Sequence, residues 1–490
     1  MTAPVVDGPA TLRPPGPRPA PAPAPDGSGP RPGAGLGLGP VLAALAGTWG
    51  LLVGVTRLHD NSFLTHLATG RLILERGGVP RVDPYSFTAA GDPWVVQSWL
   101  ASLVYAGTEE LGGLGAVRLL NGALCAALGV LVWALTARSR SVAVRVAVTA
   151  AVLAAAPDLW SGRPLLFGLI GLALVLLAAE GRLDPRWLVP AGWVWVNTHG
   201  SFPLALALLV LLAVGTRLDT GAWGGERRVL GWAAAGLALG AVNPLGPRLL
   251  LFPALVGGKS EAFRSVAEWQ PPGYDTLAQS LVLAVLLAGA LGLARRPSWR
   301  AALPLVAFGG LALTATRNGA PFLLVAAPVL AGAVPDLGPA VAGVRRAVLR
   351  PAAVAVAVLA LVFGVAALQG PHTALGAYPV DAVAWMEDEG LWGPEARVVA
   401  PDYVGNYREA LRGEEAGAFI DDRVDMYPLA LIQDYRTLLD AGPGWPAVLA
   451  RYRATAVLWP AESPLGGALA RDAGWRVVHR DERWQVVVPA

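Results

Sequence analysis

The sequence predicts a mainly α-helical membrane protein, with about eleven transmembrane helices followed by a small extracytoplasmic α/β domain. Apolar runs of about 15 to 20 residues, near the length that crosses a bilayer as a helix, recur from residue 41 to residue 369. With 54% hydrophobic and 15% charged residues and a mean hydropathy of +0.50, the chain is far more apolar than a soluble protein.

The chain divides into three parts. Residues 1–38 are rich in proline, alanine and glycine, which predicts a disordered cytoplasmic tail. Residues 39–369 are predicted to form the transmembrane domain, whose first helix is not followed by a signal-peptide cleavage site. Within it, residues 58–114 form a long first outer loop. The predicted spanning segments are 41–57, 115–136, 142–157, 165–180, 187–196, 201–217, 229–243, 276–293, 301–316, 320–334 and 351–369.

Arginine distribution sets the predicted topology. Loops that alternate to one side hold most of the arginines, whereas the opposite short loops hold Arg163, Arg248, Lys259, Arg264 and Arg317. By the positive-inside rule, the N-terminus is cytoplasmic and the C-terminal domain is outside the plasma membrane. This requires residues 93–113 to lie in the membrane interface; if they span, every later loop changes side.

Residues 370–490 predict the α/β domain. Its β-type runs are ARVVA, GAFI, TAVLW, RVVH and WQVVV, with helical segments at 379–389, 428–441, 443–453 and 464–473. About 120 residues are enough for one small core. The charged run from Asp421 to Asp425 in this domain favours a solvated turn over a ligand-binding loop.

Polar residues gather on the predicted outer side, which indicates a cavity shared by several helix ends. Asp60 could cap a helix running to about Glu75 or act as a general base or metal ligand, with His66 beside it. Ser62, His66 and Thr69 share one helix face. The remaining candidates are Asp83, Gln97, Arg163, Asn197, His199, Glu268, Arg317 and Asn318.

Each of these candidates also has a structural explanation. Asp83 can bond its own turn, and Asn197 and His199 can belong to a tight turn between helices. Arg163 and Arg317 suit a phosphate, because guanidinium groups bind its oxygens in pairs, but either arginine can reach lipid head groups instead. Glu268 beside Trp269 suits a sugar, and interfacial tryptophan anchors are equally common.

Several classes of function do not fit. The arginines sit mostly in short membrane loops and the one lysine is Lys259, so the basic pI near 9.2 reflects topology rather than nucleic-acid binding. The single cysteine, Cys125, excludes an internal disulfide, and no cysteine–histidine cluster offers a zinc site.

An ordered series of motifs runs along the chain: Asp60 followed by HLATGR, then VPRVDPYSFT, PWVVQSWLA, RPLLFGL, WVNTHGSF, NPLGPRLLLFP, EWQPPGY and TRNGAPF. With YPVDAVAWMEDEGLWG, FIDDRVDMYP and LLDAGPGWPAVLARYRATAVLWP, this series covers about residues 41 to 490. It resembles a large family of bacterial polytopic membrane proteins regarded as glycosyltransferase-like, of the GT-C superfamily.

The resemblance implies a GT-C-like bundle that transfers a hexose or pentose from a polyprenyl phosphate to an envelope glycan, lipid or protein outside the plasma membrane. It implies that Asp60 serves the acceptor or a divalent cation such as Mg²⁺ or Mn²⁺. This chain departs from the family pattern at Ser62, where a second acid is common, and this weakens a metal-dependent mechanism. It departs also at Leu64 and Thr65, usually tryptophans, and at Gln97, often a histidine.

Two other classes of function stay open from the sequence. A transporter or flippase for an envelope lipid or polymer would also use a basic, polar cavity, although it predicts charges along the whole path through the membrane. A non-catalytic envelope scaffold would use the C-terminal domain to bind a partner or glycan.

Overall fold

The computed structural model describes residues 37–259, 261–333 and 346–490. Residues 1–36 of the predicted disordered tail therefore lie outside the described residues. Thirteen α-helices lie among the described residues up to residue 367. They are α1 (Leu38–Gly54), α2 (Asn61–Arg76), α3 (Trp99–Leu135), α4 (Val142–Leu159), α5 (Leu165–Ala179), α6 (Leu188–Thr198), α7 (Pro203–Thr220), α8 (Glu226–Leu239), α9 (Arg248–Gly258), α10 (Leu277–Arg295), α11 (Trp299–Thr314), α12 (Gly319–Ala333) and α13 (Arg346–Ala367).

Every predicted spanning segment coincides with a helix, but the predicted number of spans is wrong. Within the described ranges, 5 helices are long and apolar enough to cross a membrane: Trp99–Arg138, Val142–Leu159, Pro203–Thr220, Leu277–Arg295 and Ala347–Ala367. These helices suit a lipid bilayer. Four further apolar helices, α1, α5, α9 and α11, are shorter.

Short length explains part of the overcount, and burial explains the rest. Helix α12 is buried along its whole length except at Gly332, and α5 is buried at most of its positions. A short helix that is apolar on all sides can be a core helix enclosed by other helices, and its sequence resembles that of a short span. Helix α6 has only 11 residues.

Helix α3 breaks where the sequence separates residues 93–113 from the following span. Gly112 and Gly113 have non-helical dihedrals, with φ of 64° at Gly113. The part before this break packs on α2, where a Cβ on Gly70 would lie 2.0 Å from the Ser102 carbonyl oxygen. The part after it packs on α1, with Gly54 against the backbone of Asn121. These close contacts require glycine.

The arginine-rich loops meet at one end of the bundle. Arg138 forms an ion pair with Glu180, which also lies 3.2 Å from Arg300. Arg300 in turn contacts Glu226 at 2.8 Å. The loops after α3, α5, α7 and α10 therefore converge, as expected if they share one side of the membrane.

The C-terminal segment is an α/β unit, as predicted. It contains α14 (Val380–Asp388), β1 (Val398–Val399), α15 (Asp402–Arg412), α16 (Leu429–Leu439), α17 (Trp445–Arg451), β2 (Ala456–Pro460), α18 (Pro464–Leu469), β3 (Trp475–Arg480) and β4 (Trp484–Pro489). The sheet order is β1-β2-β4-β3, parallel between β1 and β2 and antiparallel elsewhere.

Two local predictions fail in this unit. The run GAFI is not a sheet strand; instead Ala418 exchanges backbone hydrogen bonds with the segment predicted as an outer loop (residues 58–114, hereafter the first outer loop), accepting from Phe87 at 3.0 Å. Helix α15 was not predicted, and it is the element that packs on α2.

The C-terminal unit shares an apolar core with the first outer loop. Phe63 and Leu67 of α2 and Tyr105 of α3 belong to the same buried cluster as Val404 and Tyr407 of α15. Residues 37–490 accordingly form one compact unit. The relative positions of α2 and α15 are thereby fixed by apolar packing.

Candidate functional site

A buried ionic cluster joins the C-terminal unit to the first outer loop. Arg423 lies 2.8 Å from Asp83 and makes two bonds to Asp421, at 2.8 and 2.5 Å. Its guanidinium also lies 4.5 Å from the ring centre of Trp94 and 3.6 Å from Glu409. Asp421 and Arg423 are buried, so the interpretation of residues 421–425 as a solvated turn is wrong.

The pKa values of Glu409 and Asp421, two acids of this cluster, shift in opposite directions. Burial and the neighbouring Asp421 carboxylate raise the pKa of Glu409 well above its ordinary value. Burial also opposes ionisation of Asp421, but Arg423 outweighs it and lowers the pKa of Asp421. Burial thus favours the neutral form of Glu409, which accepts a hydrogen bond from the Thr65 hydroxyl at 2.7 Å. The cluster thus contains one cation, Arg423, between the carboxylates of Asp83 and Asp421.

Next to this cluster is a cavity of about 520 Å³, hereafter the main cavity. Its wall includes most of the predicted site: His66, Gln97, Arg163, His199, Glu268, Arg317 and Asn318. Ser62 and Thr69 lie on the same wall, which confirms the predicted face of α2. Polar residues from six separate parts of the chain therefore face one space.

Asp60 begins α2 and supports it as predicted. Its carboxylate accepts a hydrogen bond from the backbone N–H of Ser62 at 3.0 Å, a helix cap. Asp60 also lies 3.6 Å from Arg163. It does not line the main cavity but a second space of about 390 Å³, hereafter the side cavity. Asp60 and His66 thus face different cavities.

Both cavities share a wall formed by Arg163, Glu268 and Arg317, hereafter the Arg–Glu–Arg bridge. The Glu268 carboxylate lies 2.6 Å from Arg163 and 3.1 Å from Arg317. Arg317 also stacks over Trp269 at 4.4 Å. Burial opposes ionisation of Glu268, but the two guanidinium groups outweigh it and lower its pKa. The bridge sets two guanidinium groups around one carboxylate, and Asp60, 3.6 Å from Arg163, adds a second carboxylate on the side-cavity face.

The two histidines of the main cavity are neutral. Burial lowers the pKa of His66 to about 4, with Arg163 adding to the effect and Asp60 opposing it. Burial, followed by Arg317 and Arg163, lowers the pKa of His199 to about 3. His66 Nδ1 lies 3.1 Å from the Ser102 hydroxyl, and His199 Nδ1 lies 2.7 Å from the Ser201 hydroxyl. In both rings only Nδ1 has a hydrogen-bond partner among the described residues.

Two predicted residues lie away from both cavities. Asp83 accepts hydrogen bonds from the backbone of Tyr85 and Ser86, each at 3.1 Å, and pairs with Arg423. Asn197 accepts a bond from Trp99 at 2.9 Å. The structure gives both residues positions that hold the fold together.

Sequence reasoning missed the contribution of the C-terminal unit to the cavity. Asp422 and Asp425 line the main cavity, and a side-chain hydrogen bond joins Asp422 to Ser62. The acidic run was visible in the sequence, but its proximity to α2 depends on α15, which was not predicted. The wall of the main cavity is therefore built from both α2 and the C-terminal unit.

The residues around Asp60 do not fit a divalent cation. Mg²⁺ and Mn²⁺ prefer several oxygen ligands, whereas Asp60 is engaged by the Ser62 N–H and by Arg163. Among the described residues no group of three or more histidine, cysteine, aspartate or glutamate side chains is arranged to hold a metal ion. The suggested metal role of Asp60 therefore has no supporting ligand set.

The fold and the site together define a mainly helical protein with apolar helices suited to a bilayer, and with the Arg–Glu–Arg bridge between two cavities. No model of a known protein family matches the chain. A search of curated proteins likewise found no match.

The low pKa of His66 predicts a pH-dependent contribution to stability. Between about pH 6.5 and pH 4, the unfolded chain binds a proton at His66 and the folded protein does not, so this contribution falls as the pH falls. His66→Gln removes the effect. As the pH is lowered from 7.5 to 4.5, the thermal unfolding midpoint of the wild type should therefore fall relative to that of the variant. Ser102→Ala, which keeps the imidazole, is the matched control; a constant difference for His66→Gln would contradict the prediction.

Proposed function

We propose that this protein is a membrane glycosyltransferase that transfers a sugar from a polyprenyl-phosphate donor to a cell-envelope acceptor at the outer face of the plasma membrane. The observation that carries this proposal is the pair of guanidinium groups, Arg163 and Arg317, in the wall common to the two cavities. Paired guanidinium groups bind the oxygens of a phosphate, and their charge stabilises the phosphate as it leaves. In this reaction Arg163 and Arg317 hold the donor phosphate.

The side cavity suits the lipid-linked donor. Its wall includes Leu159 of α4, Val282 of α10 and Ala312 of α11, all from apolar helices. An isoprenoid chain would lie against these side chains with its phosphate at the Arg–Glu–Arg bridge. Asp60, on the same wall, would position Arg163.

The main cavity suits the sugar and the acceptor. His66, His199 and Gln97 offer neutral hydrogen-bonding groups beside Glu268 and Asn318, and such groups fix the orientation of hydroxyls. The C-terminal unit closes part of this cavity through Asp422 and Arg423. Exclusion of water would protect the donor from hydrolysis.

The proposal places the N-terminus in the cytoplasm and the C-terminal unit outside. The convergence of arginine-rich loops at one end of the bundle supports this, because such loops favour the cytoplasmic side. Donor and acceptor would then meet at the other, outer end.

A transfer assay tests the proposal. Purified protein in liposomes would receive polyprenyl phosphate carrying ¹⁴C-labelled mannose or arabinose, with envelope extract as acceptor. We expect label in new glycosidic products. Movement of labelled donor across the membrane without such products would favour a flippase instead, and envelope binding without either would favour a scaffold.

Asp60→Asn gives a second, residue-specific result. Asparagine retains the helix cap but loses the charge beside Arg163, so transfer should fall by roughly tenfold, the effect of about 1.4 kcal/mol on the barrier. Initial rates at several donor concentrations measure this. Full activity in Asp60→Asn would rule out both the positioning role and a role as general base.

A further inference from the structure

The C-terminal unit places the carboxylate of Asp422 in the wall of the main cavity. We propose that Asp422 is the proton acceptor of the sugar transfer, taking the proton of the attacking acceptor hydroxyl; this assignment rests on the proposed function. The catalytic centre would then be built from the first outer loop and the C-terminal unit together.

Asp422 is held in place relative to α2 by a shared asparagine. The Asn406 side chain accepts a hydrogen bond from the backbone N–H of Asp422 at 3.0 Å and donates one to the carbonyl of Asn61 at 3.2 Å. The Asp422 side chain is itself hydrogen-bonded to Ser62. Its neighbours Asp421 and Arg423 are fixed in the buried cluster, so the carboxylate has a defined position at the cavity wall.

The other acids near the site are already engaged. Glu268 contacts Arg163 and Arg317, and Asp60 faces the side cavity with its carboxylate on a backbone N–H. Within the described residues, no arginine or lysine forms a salt bridge with Asp422. Asp425 also lines the cavity, but no hydrogen bond joins its side chain to α2 in the described structure. Asp422 is therefore the acid placed and free to accept a proton.

Its electrostatic surroundings suit that role. Burial raises the pKa of Asp422 to about 7; Asp421, Asp402 and Asp60 add to the effect, and the Ser62 bond opposes it. Arg163 and Tyr378 are the other ionisable groups that interact with it. A general base works best when its pKa lies near the working pH, because it is then both available and basic enough.

The reaction balances without a further reactant. The acceptor oxygen attacks the anomeric carbon and forms the new glycosidic bond, while the bond from that carbon to the phosphate oxygen breaks. The electron pair of the broken bond leaves with the polyprenyl phosphate, whose charge the two arginines stabilise. The hydroxyl proton passes to Asp422 and is released to solvent when the products leave.

The test compares Asp422→Asn with wild-type protein in liposomes, using Asp440→Asn, at an exposed aspartate of the same unit, as the matched control. Binding of labelled polyprenyl phosphate and transfer from the labelled sugar donor are measured separately. We expect Asp422→Asn to reduce transfer by about 100-fold or more, the usual contribution of a general base. Lipid phosphate binding and the thermal unfolding midpoint should stay close to those of wild type.

The pH profile separates a catalytic role from a structural one. Wild-type transfer should rise through about pH 7, and the residual activity of Asp422→Asn should lack this rise. Wild-type transfer rates in Asp422→Asn, or a loss of lipid binding in parallel with transfer, would overturn the assignment. Wild-type protein that neither binds the lipid phosphate nor transfers sugar would instead overturn the proposed function.

Discussion

Replacing Arg423 with methionine should destabilise the folded protein by about 3–5 kcal/mol, the usual effect of removing one partner from a buried ion pair. The side chain of Arg423 is 5% exposed, and those of Asp83 and Asp421 are fully buried. Methionine fills similar volume but leaves these two carboxylates without their cation. Because the cluster joins the C-terminal unit to the first outer loop, we expect the contact between these two parts to open first during unfolding.

Thermal unfolding in detergent, followed by intrinsic tryptophan fluorescence, measures this effect. Arg476→Met, at an exposed position of β3, is the matched control and should leave the unfolding midpoint nearly unchanged. The effect of Glu409→Gln should also be mild, because burial already favours the neutral form of Glu409. An Arg423→Met variant as stable as the Arg476→Met control would show that the cluster does not hold the two parts together.

The helices of the membrane part could be predicted from sequence, but their relation to the bilayer could not. Hydropathy and length identify apolar helical segments, and α2 with its Asp60 cap followed from local signals. Whether a short apolar helix faces lipid or other helices depends on its neighbours in space. Helix α12 has the composition of a span and the burial of a core helix.

The C-terminal contribution to the site could not be predicted for a similar reason. Helix α15, DYVGNYREALR, is polar, and its Asn406, Arg408 and Glu409 are nevertheless buried. Polar residues are buried when partners satisfy them, and those partners come from distant parts of the chain. The sequence therefore predicted the loop residues of the main cavity, but not the unit that completes its wall.

Asp60 and His66, both in the first outer loop, line different cavities in the folded protein. Sequence spacing placed Asp60 and His66 at one site, because both lie near the start of one helix. In the folded protein the Arg–Glu–Arg bridge forms a wall common to both cavities. Of the two residues, only His66 lines the main cavity. In the proposed reaction Asp60 supports Arg163 from the side cavity, and Asp422 in the main cavity takes the general-base role that the sequence suggested for Asp60.

Arg317→Gln should reduce sugar transfer by about 100-fold to 1000-fold, the typical effect of removing one group that stabilises a developing charge. Arg317 is the member of the bridge whose loss the fold tolerates best, because Glu268 keeps its contact with Arg163 at 2.6 Å. Glutamine still offers a hydrogen-bond donor beside Trp269. The loss should therefore appear in activity and in binding of lipid phosphate, with the unfolding midpoint little changed.

The matched control is Arg248→Gln, at an exposed arginine that begins α9, which should retain wild-type transfer. Arg317→Lys should give an intermediate rate, because lysine keeps the charge and loses the paired N–H groups that match a phosphate. An ordering of wild type, lysine and then glutamine would indicate that both charge and geometry act on the phosphate. Equal transfer by all three would mean that the bridge only stabilises the wall between the cavities, and the donor phosphate would then have to bind elsewhere.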